Sequence, residues 1–67
     1  MRIYVVSDTD QGNDYVAHVR AHSAEDAALQ YIDQLDERIF PYQLKCSVSG
    51  AEYIVRVSQV VTATVVA

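Results

Sequence analysis

Four groups of residues in this 67-residue chain have types and spacings that chemistry could use. The first is Asp8, Asp10, Gly12 and Asp14. Alternate carboxylates of this kind open a calcium loop, in which hard oxygen ligands converge on one cation. An EF-hand needs its glycine at the sixth position and a glutamate at the twelfth. Asn13 and Val19 stand there instead. Residues 8–13 otherwise carry turn chemistry, with short polar side chains that bond back to the backbone and a glycine able to take positive φ. The stretch reads as a solvated loop.

His18 and His22, the second group, stand four apart, which on a helix would suit a metal pair. Their segment alternates as a strand does, and four strand residues span about 13 Å, too far for one ion. They read as polar residues on an outer sheet face. The third candidate is Cys46, the only cysteine, which alternates with Leu44 and Val48. That placement predicts a buried thiol acting as a small hydrophobe. A nucleophile would want a neighbouring base and a lowered pKa, and nothing near it in sequence supplies either. No serine or aspartate sits in a nucleophile elbow or phosphate loop. No catalytic residue, metal set or cofactor is therefore expected, and the chain reads as non-enzymatic.

The fourth group is a row of charge. The net charge of −4 argues against a general nucleic-acid binder, which is usually basic. Between positions 23 and 39 lie five acids (Glu25, Asp26, Asp33, Asp36, Glu37) and one base, Arg38. The remainder holds four acids and four bases, so the whole excess falls in that one stretch. Asp26, Gln30, Asp33 and Glu37 follow one another at i+4, i+3 and i+4, which lines them along a single helical stripe. With Asp36 beside them, they could present carboxylates to a basic partner surface, much as phosphates would.

The elements that would hold these residues follow from periodicity. Residues 2–7 read as a strand, with Ile3 and Val5 on one face and Arg2, Tyr4 and Val6 on the other. A second strand covers residues 14–21, with Tyr15, Ala17, Val19 and Ala21 opposed to Asp14, Val16, His18, Arg20 and His22. Ser23 is placed as a helix N-cap, with Asp26 able to complete a capping-box-like arrangement. Ala24, Ala27, Ala28, Tyr31, Ile32 and Leu35 recur at spacings of three and four, the mark of a buried stripe. Pro41 disfavours helical geometry at Phe40, so the helix ends before it. A third strand covers residues 43–47, Ser49-Gly50 is a turn signal, and a fourth strand begins near Glu52. Residues 60–66 continue as an uncharged, β-prone tail, with a bulge expected near Ser58 or Gln59.

The order is β-β-α-β-β, an α+β domain over residues 1–67 with one helix packed on one face of an antiparallel sheet. A chain this short buries only about 60% of its unfolded surface, and no disulfide framework assists it. The lone cysteine fits a reducing compartment. No run approaches the roughly 20 apolar residues that span a bilayer, and acids follow the N-terminus too early for a signal peptide. A cytoplasmic location without membrane contact is expected. By alternation, the sheet face turned away from the helix gathers Arg2, Tyr4, Val6, Val16, His18, Arg20, His22, Ile54 and Arg56. Arginine and tyrosine are common interface anchors, and the same mixture could stack on single-stranded nucleic acid.

The succession Arg2-Ile3-Tyr4-Val5-Val6, a polar turn, then Tyr15-Val16-Ala17-His18-Val19-Arg20-Ala21-His22-Ser23-Ala24-Glu25-Asp26-Ala27-Ala28 resembles short proteins of phages and mobile elements. Several of these, some anti-CRISPR proteins among them, have a hairpin, a Ser-capped helix and a second hairpin. The resemblance implies a stoichiometric inhibitor in the bacterial host cytoplasm. Such an inhibitor would bind a bacterial defence or regulatory ribonucleoprotein complex and block its nucleic-acid site. The strand-helix part is also similar to antitoxins of the HicB type, although their Pro-Gly segment between hairpin and helix is absent. The leading expectation is a protein-binding module. It would act through Asp26, Asp33, Asp36 and Glu37, or through Arg2, Tyr4, Arg20 and Arg56. The alternatives are a homodimeric antitoxin-like or structural protein and a weak single-strand binder, the latter disfavoured by net acidity.

Overall fold

The computed structural model describes residues 1–8, 16–35, 40–59 and 62–66. In chain order these form β1 (Arg2–Asp8), β2 (Val16–Ala21), α1 (Ala24–Asp33), β3 (Tyr42–Val48), β4 (Ala51–Gln59) and β5 (Thr62–Val65). All five strands belong to one antiparallel sheet of order β2-β1-β3-β4-β5. The tail expected after the fourth strand is thus a strand in its own right. β5 pairs with β4 through Val55↔Val65, Arg56↔Thr64 and Val57↔Ala63, and the register shifts between Val57 and Gln59. That irregularity lies where a bulge was expected from Ser58-Gln59.

Ser49 and Gly50 both take positive φ, at 50° and 84°, and close β3 onto β4 with Val48 opposite Ala51. A two-residue turn with left-handed backbone at both positions matches the right-handed twist of its strands. The helix begins where capping chemistry places it. The backbone N–H of Asp26 donates to Ser23 Oγ at 3.1 Å, and Ala27 N–H donates to the Ser23 carbonyl at 2.9 Å. The Asp26 carboxylate reaches back one residue further than a capping box requires, accepting the His22 N–H at 3.2 Å. Regular helix stops at Asp33. Gln34 and Leu35 then tighten the end by donating to the Tyr31 and Ile32 carbonyls.

One cluster of buried residues makes the core. The helix contributes Ala24, Ala27, Ala28, Tyr31 and Ile32; the sheet contributes Tyr4, Val6, Val19, Ala21, Leu44, Cys46, Val48, Val55 and Val57. The helix touches every strand, and the Cys46 thiol lies 3.7 Å from the Ala24 carbonyl. At three of the helix's core positions alanine puts only a methyl between the helix backbone and the side chains of the sheet.

The facing of β1 is the reverse of that expected. Tyr4 pairs with Val19 and Val6 with Cys46, and both are buried, whereas Ile3 is 54% exposed. Arg2 pairs with Ala21 and therefore shares the core-side register, exposed at the strand's end. The reason is that both faces of this strand are apolar, so alternation alone does not choose between them. Pairing chooses, because a strand's phase is set by its neighbours and a one-residue slip inverts every side chain.

Candidate functional site

The sheet residues that alternate with the core positions make an outer face. Register places them in rows across the strands. Arg20 stands beside Ile3; His18, Val5, Ser47 and Glu52 form the next row. Val16, Ser7, Lys45 and Ile54 form the third, and Gln43, Arg56 and Thr64 the fourth. The Val66 N–H donates to the Ile54 carbonyl at 2.8 Å, which carries the ladder to the end of the described chain.

This arrangement separates residues that sequence alternation grouped together. Arg20 and Arg56 lie three strands and three rows apart, at opposite corners of the face. Strand spacing and rise put them roughly 14 Å apart across the sheet and 20 Å along it. Tyr4 and Val6 leave the outer face for the core, and Arg2 leaves its register. Ile3, Val5 and Lys45 join it. Ile3 and Val5 escaped sequence reasoning because their strand's phase was undetermined. Lys45 was legible from its alternation with Leu44 and Cys46.

Around the Arg20 corner the face is aliphatic and basic. Ile3 and Val16 are 54% and 46% exposed, with Val5 half-buried between them and His18 beside it. Isolated exposed aliphatics are ordinary, but a contiguous set rimmed by charge is the composition of an interaction surface. No phenylalanine, tyrosine or tryptophan stands on the outer face among the described residues. Tyr4, Tyr42 and Tyr53 pair with Val19, Val57 and Cys46, all core positions, and Tyr31 is buried in the helix. Midway across the face, Lys45 Nζ pairs with Glu52 Oε2 at 3.3 Å.

The acidic helical stripe has a more local occupation. Asp26 is tied to the His22 backbone, and the Gln30 amide donates to both Asp26 Oδ2 and the Arg20 carbonyl, each at 3.1 Å. Asp26 and Gln30 therefore fasten the helix start to the end of β2, so only part of their hydrogen-bonding capacity faces outward. Asp33 is exposed. Asp36 and Glu37 lie outside the described residues, as do Asp10, Gly12 and Asp14 of the polar loop. Asp8 is buried at the end of β1, opposite Leu44. Among the described residues, no three histidines, cysteines or carboxylates are grouped to hold a metal ion.

Cys46 occupies the core position expected of it, with no measurable exposure. Burial, with the Glu25 carboxylate adding to it, pushes its thiol up to about 11. That is the wrong direction for a nucleophile at neutral pH. It also yields a stability prediction. Between about pH 9 and 11 the unfolded chain releases its thiol proton while the folded chain retains it, so folding stability falls as pH rises through that window. In urea titrations the parent should lose roughly 2 kcal/mol more than Cys46→Ala between pH 8.5 and 11. Equal losses would contradict the buried thiol.

No helix of the described chain is long and apolar enough to cross a membrane. Comparisons of the chain with family models, with curated proteins and with solved structures find no match.

Proposed function

We propose that this chain is a non-enzymatic protein-binding module, with its helix laid over one face of the sheet and its partner docking on the other. The observation that carries the reading is the outer-face corner where exposed Ile3 and Val16 adjoin Arg20 and His18. Exposed aliphatic area gives a protein partner something to desolvate, and a flanking arginine gives it orientation. The same corner offers single-stranded nucleic acid no aromatic platform on which to stack a base, which removes the main source of affinity in that mode. The β-β-α rhythm at the start of the chain, similar to that of small phage proteins, gives the reading its finer form. The chain acts as an inhibitor of the anti-CRISPR type, occupying a bacterial nucleic-acid-handling complex and blocking its function.

The test is capture of such a complex from bacterial lysate by the tagged chain. Ile3→Asp with Arg20→Glu should weaken capture at least tenfold, while Asp33→Lys with Glu37→Lys leaves it within twofold. The opposite pattern would move the partner to the acidic helix. Insensitivity to both pairs would refute a surface-docked inhibitor.

A further inference from the structure

We propose that the corner of the outer face around Arg56 is a separate subsite that takes a carboxylate-bearing side chain of a protein partner. The inference rests on the reading of the outer face as a partner surface, but a different set of residues carries it. Arg56 stands in β4 between Gln43 of β3 and Thr64 of β5, so a guanidinium, an amide and a hydroxyl form one row across three strands. The Thr64 hydroxyl can donate one hydrogen bond, and the Arg56 guanidinium can donate two in parallel to a carboxylate. Beside the row lies a recess of about 270 Å³ lined by Pro41, Tyr42, Gln43 and Arg56.

The charge around it is unbalanced. Glu52 is the one acid among the described outer-face residues, and it is engaged by Lys45. Glu52 also lies four residues along β4 from Arg56, about 13 Å away on an extended strand. No described carboxylate pairs with Arg56. Ile54 adjoins Arg56 on the same face, while the Phe40–Tyr42 ring pair packs toward the core. The site therefore combines the aliphatic side chain of Ile54 with a cation that pairs with no described carboxylate. A glutamate or aspartate flanked by apolar residues complements that better than a phosphate backbone does. A nucleic-acid strand would ask for several cations in line, and this row supplies one.

The probe is a blocked decapeptide of alternating glutamate and tyrosine, added to the full ¹⁵N-labelled chain, with a lysine-tyrosine peptide and oligothymidylate as comparisons. The acidic peptide should shift the amide resonances of Gln43, Arg56 and Thr64. Arg56→Gln should weaken its binding about fivefold, and Arg20→Gln by less than twofold. The proposal fails if those resonances do not move, if Arg56→Gln binds as the parent does, or if oligothymidylate binds there more tightly than the peptide. If the shifts fall instead on Ile3, Val16 and Arg20, the carboxylate subsite is refuted and the outer face as a partner surface stands. Partner capture that survives Arg56→Gln but not Ile3→Asp with Arg20→Glu separates the two in the same way.

Discussion

Truncating Tyr4 to alanine is expected to remove about 3 to 4 kcal/mol of folding stability, and truncating its neighbour Ile3 less than about 1. The two residues are adjacent, both apolar, and in one strand. Only their facing differs. Tyr4 is 6% exposed and joins the cluster that holds Tyr31, Ile32 and Val19, whereas Ile3 is more than half exposed beside Arg20. Removing a buried ring forfeits its transfer free energy and leaves a cavity that the neighbouring strands only partly close. Removing an exposed isoleucine costs β-propensity and little else. Urea denaturation of both variants measures the contrast directly. Similar losses, or a larger loss for Ile3→Ala, would mean that β1 presents the opposite face to the helix.

Leu44→Ala is the second large effect, expected at about 3 kcal/mol. Leu44 has no measurable exposure and stands in β3, the middle strand, opposite Asp8 on one side and Val55 on the other. Its own strand is held by ladders on both sides, so the hole left by three lost heavy atoms cannot be filled by a shift of one edge. A domain of this size has a total stability on the order of 3 to 10 kcal/mol, so the substitution consumes a large share of it. For 60 to 100 residues each kcal/mol moves the melting temperature by about 4 to 8 °C, which puts the expected fall at 12 to 24 °C. The denaturant slope should stay unchanged while the midpoint drops. A loss under about 1 kcal/mol would show that the core repacks freely around position 44.

Both effects bear on the proposed binding surface. Tyr4→Ala would be expected to weaken partner capture by lowering the folded fraction, not by removing a contact. Ile3→Asp should remove a contact and leave the fold standing. The pair therefore distinguishes a core residue from a surface residue in the same strand, a distinction that a binding assay alone would miss.

Much of the architecture follows from local chemistry. Ser23 caps α1 because its hydroxyl can accept an N–H of the first turn, and no tertiary contact is needed to foresee that. The spacing of Ala24, Ala27, Ala28, Tyr31 and Ile32 identifies the buried stripe, and alternation assigns Leu44, Cys46, Val55 and Val57 to the core. Ser49-Gly50 marks a turn because glycine takes left-handed backbone at no steric cost, although that Ser49 takes it too is legible only in the structure. The segment after Gln59 is β-prone throughout, but only pairing with β4 shows that four of its residues make a fifth strand.

Tertiary structure decided the facing of β1, the strand order and the geography of the outer face. Ile3/Val5 and Tyr4/Val6 are nearly equivalent as apolar pairs, and the free-energy difference between burying one or the other arises only when β2 and β3 supply a register. Placing β1 between β2 and β3 pairs segments far apart in sequence. It also sends Arg20 and Arg56 to opposite corners of the outer face. Side-chain periodicity is a local property, set by backbone geometry within one strand, and the sequence by itself determines it. Which face meets the core, and which charges become neighbours, depends on hydrogen-bonded pairing between strands, which no single segment contains.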